Sequence, residues 1–392
     1  MDIKALIAAE KDYLIAIRRK LHRFPEGGMR EFKTSQILKD ELSSFGIKWQ
    51  PIAETGVIAD IEGVGAYSGD KTKKIVALRA DIDAVKVQEL NEFEHKSEHD
   101  GYCHACGHDG HMASLLGAAK VLAENKDKFS GTVRLIFQPA EEILEGAKKI
   151  IEEGGLKDVG EIFGIHLLPD VPAGLIAVAP GARMSSSDFF DLEIKGPGGH
   201  GGFPHKTVDT VVAASSVVMN MQHVVSREIS PMEPLVITVG KITGGTKGNV
   251  VPSSVFMQGT TRCFSDHIRE QLPEKMERVI ANTAKSYRAD YEFKYYRKVP
   301  PMVNDSGCTA RVERVSMQLY GNEVIYPLDR ITGAEDFAFY VKEIPGVFAF
   351  VGSSNVAKGI DYPLHSDRYD IDEDALEISA SLYALYALDY LS

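Results

Sequence analysis

The chain has 392 residues, 44% hydrophobic and 26% charged, enough for two or three domains and for a core that needs no disulfides. With 44 Lys and Arg against 56 Asp and Glu, the net charge is −12, which argues against a nucleic-acid-binding face or a polybasic membrane anchor. Cys103, Cys106, Cys263 and Cys308 are too few and too irregular for a disulfide framework, no apolar run reaches spanning length, and Met1-Asp2-Ile3-Lys4 opens no signal peptide, so a cytoplasmic location is expected.

Leu6, Ile7, Leu14, Ile15, Ile17 and Leu21 recur at helical spacing and predict a helix over 3–24, stopped by Pro25. A second helix is expected over 34–42. Residues 56–61 and 74–79 read as strands, 108–123 as a helix, 132–137 as a buried strand, 147–153 as a helix and 162–166 as a strand. That alternation predicts an α/β domain with a largely parallel sheet. The pattern then changes: strand 189–195, helix 208–225, strands 235–242 and 251–261, helix 268–287, strand 291–297. This β-α-β-β-α-β order is that of a ferredoxin-like fold. The α/β character returns with a strand at 347–351 and a helix at 373–391. The expected fold class is therefore α/β, with one domain made of 1–184 and 298–392 and interrupted by an inserted α+β domain, 185–297.

Cys103-His104-Ala105-Cys106-Gly107-His108-Asp109-Gly110-His111 packs two cysteines and three histidines into nine residues, a metal-type density at the start of a helix that Asp109 could cap. A structural zinc site would need a second Cys/His pair at finger spacing, and none follows. A redox pair would use Cys103 and Cys106 but has no use for the flanking histidines. A catalytic metal site would take a few of these residues and complete its shell elsewhere. Glu141 and Glu142 follow the strand ending at Phe137, where α/β folds build sites. Asp81 and Asp83 likewise follow a strand, His166 ends another, and His365 lies in a loop before the last helix. The glutamate pair alone reads equally well as a solvated helix start, and any one of these histidines alone is more often structural than a ligand; together with the Cys/His cluster the set favours a metal site.

These motifs run in order: Leu78-Arg79-Ala80-Asp81, Cys106-Gly107-His108-Asp109-Gly110-His111, Gln138-Pro139-Ala140-Glu141-Glu142, Gly199-His200-Gly201, Gly333-Ala334-Glu335-Asp336-Phe337 and Pro363-Leu364-His365-Ser366. On them, and from Arg18-Arg19-Lys20-Leu21-His22 to the last helix, the chain resembles the M20 metallopeptidase family. More narrowly it resembles the amidohydrolase subfamily of hippurate hydrolases, indole-acetyl-amino-acid hydrolases and N-acyl-amino-acid deacylases. The resemblance implies five ligands for two divalent metal ions: Cys106, as a bridging thiolate, with His108, Glu142, His166 and His365. It puts Arg79 where related peptidases have a ligating histidine, with Asp81 as a group that could orient an imidazole ligand. Cys103, His104 and His111 stay outside the ligand set. Glu141 falls on the general base, and a carboxylate there suits taking a proton from water and passing it to a leaving amine.

The resemblance makes the inserted domain a lid that also forms a homodimer. His200 becomes a donor to the oxyanion in the partner's site. Asn249 and Arg262 become contacts to the substrate carboxylate, which a guanidinium can bind through two hydrogen bonds. The chain departs from the family at Gly27-Gly28-Met29, at Ile143-Leu144 and at Asp367, positions that bear on substrate preference. The expected function is a binuclear metal-dependent amidohydrolase acting on small N-acyl amino acids with Zn²⁺ or Mn²⁺, Co²⁺ and Ni²⁺ also fitting such ligands. The alternatives are a metallo-dipeptidase or carboxypeptidase on small peptides, a non-catalytic binding protein of the same fold, and a thiol redox protein.

Overall fold

The computed structural model describes residues 1–65 and 74–392. They form two compact units, one of Met1–Gly181, Val303–Asp329 and Asp336–Ser392, the other of Ala182–Met302 with Arg330–Glu335. In chain order the strands used below are β1 (Trp49–Ile52), β2 (Gly56–Val64), β3 (Ile75–Asp81), β4 (Ser130–Gln138), β5 (Glu161–Pro172) and β6 (Ile176–Ala177) in the first unit. Strands β7 (Ser187–Lys195), β8 (Leu235–Gly244), β9 (Ser254–Cys263) and β10 (Asp290–Val299) follow in the second, and β11 (Gly346–Ser354) returns to the first.

The first unit is built on a seven-stranded sheet in the order β1-β2-β4-β3-β5-β11-β6. Its middle, β4-β3-β5-β11, is parallel, and its edge pairings are antiparallel. The parallel strands β3, β5 and β11 are near-continuous buried runs, the pattern of strands covered on both faces. Helices α1 (Ile3–Ala8), α2 (Lys11–His22), α3 (Phe32–Ser44), α4 (His108–Glu124) and α5 (Gly146–Glu152) accompany it. Among the described residues no helix is long and apolar enough to cross a membrane.

The second unit is an antiparallel sheet in the order β8-β9-β7-β10. Helices α6 (Thr210–His223) and α7 (Asp266–Ser286) bury Val217, Met221, Leu272 and Met276 in a core with Phe190, Leu192 and Ile194 of β7. Together these make the ferredoxin-like order. The unit runs from 182 to 302 rather than from 185 to 297. Arg330–Glu335 joins it because Ser185 donates its backbone N–H to the carbonyls of Ile331 and Gly333, and Ile331 donates to that of Arg183.

Several elements differ from the sequence reading. The helix expected over 3–24 is two helices, turning at Ala9 and Glu10, where Glu10 pairs with Lys120 of α4. The strand expected over 251–261 begins at Ser254, because Pro252 has no N–H to give the ladder; Val250–Val251 pairs instead with Gly199–His200. Strand β1 and helix α8 (Ser306–Tyr320) were not expected; the helix α9 (Asp374–Leu391) was. The buried face of α8 includes Cys308, Thr309 and Ser316 beside Val312 and Val315, which blurs its apolar period.

One buried network fixes where α4 begins. Arg18 of α2, 1% exposed, donates to Asp109 (2.6 Å) and Asp370 (2.8 Å). His22, one turn on, donates to Asp109 (2.8 Å) and Glu89 (3.2 Å). Burial alone would push the His22 imidazole down, but Asp109 and Glu89 outweigh it and hold it above its ordinary range. Asp109 therefore ties α2 to α4 and does not cap α4, whose first turn follows Gly107 with no side-chain cap. Arg18→Ala is expected to cost about 3–5 kcal/mol in urea unfolding, because it leaves Asp109 buried beside only His22.

Candidate functional site

The loop from Cys103 to His108 delivers the first donors. Gly107 sits at φ +83°, a left-handed turn that costs a glycine little, and it lets Cys106 and His108 flank the turn before α4. His108 donates its Nδ1 hydrogen to the backbone carbonyl of Asp83 (2.9 Å). His166, on β5, donates its Nδ1 hydrogen to the carbonyl of Leu167 (2.7 Å). Both rings therefore turn the Nε2 lone pair inward, the tautomer a metal ligand needs. The Nε2 of His166 lies 3.4 Å from the Cys106 Sγ.

Glu141 and Glu142 follow β4 through Ala140, which holds φ +56°. The buried Glu31 carboxylate, which also accepts the Thr55 hydroxyl (2.6 Å), accepts the Ala140 N–H (2.9 Å). Burial pushes Glu31 up to about 7. The two oxygens of the fully buried Asp83 accept the N–H groups of Glu141 (3.1 Å) and Glu142 (3.0 Å). Asp83 thus orients His108 through its carbonyl and the glutamate pair through its carboxylate. His365, also left-handed at φ +63°, donates its backbone N–H to the Ala105 carbonyl, and its Nε2 lies 3.4 Å from Glu142.

Of five candidate donor groups among the described residues, two share Cys106. Cys106, His108 and His166 place one donor atom each within 4.8 Å of one another, and so do Cys106, Glu142 and His365. The set suits divalent ions on three counts. The His108 Nε2 and one Glu142 oxygen are buried without a hydrogen-bond partner. Burial, then Glu142, Glu141 and Asp81, pushes the Cys106 thiol well above its ordinary range. Burial would lower His108, yet Asp81, Asp83 and Glu142 overcome it and push the ring up to about 10. Burial, then His111, instead pushes His166 well below its ordinary range, so this pocket draws protons onto Cys106 and His108 but not onto His166. The donor chemistry, thiolate, imidazole and carboxylate, matches Zn²⁺, Mn²⁺ and their neighbours.

Other expected residues take different places. Asp81 does not hydrogen-bond a candidate ligand: its oxygens take His111 Nδ1 (2.6 Å) and Arg79 (2.8 Å), and His108 Nε2 is 3.6 Å away. His111 spends its other nitrogen on the Leu167 N–H (2.8 Å), so neither is left for a metal. The fully buried Arg79 also binds Gln138 (2.8 Å) and Asp336 (3.1 Å). Cys103 is pushed up to about 12, mainly by burial, so neither cysteine of the pair sits in the electropositive setting of a reactive redox thiol. In the second unit, His200 is exposed and its Nδ1 accepts the Gly202 N–H (3.0 Å). Asn249 is exposed beside it in the Gly201 turn, and Arg262 is half-buried on β9 with no hydrogen-bond partner among the described residues. Asp83 and Glu31 were not singled out from sequence as holding the glutamate pair; an acid two residues after Asp81, at the end of the same strand, was the signal for the first.

The sequence pattern of Peptidase family M20/M25/M40 matches residues 77–389. The chain belongs to this family. It is 42% identical over 385 residues to the Arabidopsis thaliana IAA-amino acid hydrolase ILR1-like 2, covering 97% of this chain and 85% of that one. It is 40% identical over 374 residues to the Bacillus subtilis (strain 168) N-acetyl-L-cysteine deacetylase, covering 95% and 86%. Its fold matches that of the Bacillus subtilis YXEP protein, a dinuclear metal binding peptidase from the M20 family, with TM-score 0.85 and 34% identity over 98% and 99% of the two chains. The protein is thus an M20 hydrolase of the amidohydrolase subfamily.

Asp83→Ala is expected to weaken metal binding or turnover by roughly 10–100-fold, the usual loss when a group that orients ligands is removed. Asp83→Asn, which keeps one acceptor oxygen, should lose less. Competition with a chelator of known affinity reads the first effect directly.

Proposed function

We propose that the protein is a binuclear metal-dependent amidohydrolase that cleaves N-acyl amino acids to a carboxylic acid and a free amino acid. The observation that carries the reading is the pair of three-donor groups sharing Cys106, with Glu141 alongside. Cys106, His108 and His166 would hold one ion, and Cys106, Glu142 and His365 the other, with Zn²⁺ or Mn²⁺ first in line and Co²⁺ or Ni²⁺ compatible. Bound there, the ions supply Lewis-acid activation of the water and of the scissile carbonyl.

The chain's own groups do the rest. Glu141, 6% exposed and with its backbone held by Asp83, takes the proton of the attacking water on its carboxylate and hands it to the leaving nitrogen. Asp81 and His111 stay behind, bracing Leu167 beside His166. Arg262 is suited to the amino acid's carboxylate because its guanidinium is half-buried and lacks an acidic hydrogen-bond partner, and Asn249 adds a neutral donor. His200 is suited to stabilise the oxyanion because its Nε2 is left open by the Gly202 contact.

The reading includes a homodimer through the inserted unit, with the partner's His200 serving each site. Edge strand β8 exposes Val236 and Ile242, and α6 exposes Val211, Val212 and Met219, apolar surface suited to pairing with a second copy. The relatives named above support the substrate class, and dipeptides are the competing substrates to be tested beside N-acyl amino acids.

Glu142→Ala should lose metal, whereas Glu141→Ala should keep it and still turn over about 10²-fold more slowly or worse in a released-amine assay. Equal metal loss in both would refute this division of labour. Metal should also protect Cys106 from alkylation. Mixing inactive His200→Ala with inactive Glu141→Ala and allowing subunit exchange should restore activity, since one site per mixed dimer then pairs an intact Glu141 with an intact His200. Proven heterodimers without recovery would exclude action in trans.

A further inference from the structure

Residues 139–145 link β4 to α5 and carry Glu141 and Glu142. Ala140 (φ +56°) and Leu144 (φ +60°) are left-handed there, and such bends persist only where neighbours over-determine them. The loop turns back on itself: Leu144 donates its backbone N–H to the Glu141 carbonyl (2.7 Å), and Glu145 and Gly146 donate theirs to the Ala140 carbonyl (3.2 and 3.3 Å). Its two ends pinch together at a neck, where a Cβ on Gly146 would lie 1.6 Å from the Pro139 carbonyl oxygen. The fully buried Asp336 bridges that neck. Both its carboxylate oxygens accept from the Gln138 Nε2 on the strand side (2.7 and 2.9 Å), and one also accepts the Ala147 N–H on the helix side (3.0 Å). That last bond stands in for a cap, since Glu145 gives α5 none from its side chain. Arg79 closes the ring by donating to Gln138 (2.8 Å) and to Asp336 (3.1 Å).

We propose that Asp336 is a positioning residue for the hydrolysis: it staples the neck of this loop and so sets where Glu141 presents its carboxylate. The inference rests on the reading of Glu141 as the general base. Asp83 holds the loop by the N–H groups of Glu141 and Glu142 alone. With the neck open, the rest of the loop could swing about that one anchor; with the neck closed, it is held at two places and moves only as a unit. A group that must meet a water proton tolerates little swing, because a misplacement of about 1 Å can cost ~10²-fold in rate. The staple also gives a task to Arg79 and Gln138, two buried side chains that the mechanism above leaves unused.

The test opens the neck in two independent ways. Asp336→Asn keeps the volume and sets an amide N–H against Ala147 or Arg79, whereas Gly146→Ala leaves the buried charges alone and forces Pro139 aside. On the metal-loaded protein, with whichever of N-acetylalanine, N-phenylacetylalanine and glycylalanine the wild type turns over fastest, each variant should lower kcat by roughly 10–100-fold and leave KM within about 3-fold. In a Glu141→Ala background the same changes should cost less than about 3-fold more, because the group they misplace is already gone. A readout without turnover is amide hydrogen exchange of the full-length, metal-free chain: residues 139–147 should exchange about 10-fold faster in both variants, with the rest of the sheet unchanged. Unchanged exchange in residues 139–147, unchanged kcat, or a full further loss on top of Glu141→Ala would each overturn the inference. Wild-type turnover by Glu141→Ala would instead bring down the reading of Glu141 as the base, and faster exchange in the two variants would still show Asp336 closing the neck.

Discussion

Buried negative charge must be neutralised, and most of the first unit is arranged around that demand. Asp81, Asp83, Asp109, Glu141 and Asp336 are buried and Glu142 nearly so, all grouped near one end of the parallel strands. Some are neutralised by the protein itself. Arg79 answers Asp81 and Asp336, and Arg18 with His22 answers Asp109. Cys106 and Glu142 face histidines instead: His108 and His166, whose Nδ1 hydrogens go to backbone carbonyls, and His365, 3.4 Å from Glu142. That remainder is the charge deficit that divalent ions fit.

The scaffold fixes this deficit through backbone groups more than through side-chain packing. Two carbonyls set the tautomers of His108 and His166. Two backbone N–H groups anchor the glutamate pair on Asp83, and a third ties Ala140 to Glu31. Left-handed turns at Gly107, Ala140 and His365 sit next to the donors, so the chain is bent where the chemistry is. Bends that a regular strand or helix would not adopt persist only where neighbours over-determine them, and here Glu31, Asp83 and the Ala105 carbonyl do so. These side chains are thus held by the fold itself, which restricts their geometry.

Much of this was legible in the sequence. The strand–helix alternation, the change of pattern in the inserted unit and the density of Cys and His near residue 106 each reflect local chemistry that periodicity and composition expose. Donors far apart in sequence, Cys106 and His108, Glu142, His166 and His365, are brought together by the parallel sheet. What sequence could not give was partnership. Asp109 reads as a cap because acids favour helix starts, yet a buried arginine on α2 claims it. Asp81 reads as a partner for a ligand; its hydrogen bonds go to His111 and Arg79, while the Asp83 carbonyl accepts from His108. Helix α8 was hidden by the small and polar residues on its buried face, and β1 by its shortness and by Pro51. These are tertiary choices among locally equivalent partners.

The central claim is that one thiolate serves both donor groups. X-ray absorption at the zinc edge, on protein reconstituted with Zn²⁺ and with metal content measured per chain, tests it most directly. Two ions per chain are expected, with a sulfur neighbour at about 2.3 Å that vanishes in Cys106→Ser. A single ion per chain, or a sulfur neighbour that persists in Cys106→Ser, would contradict a shared Cys106 thiolate.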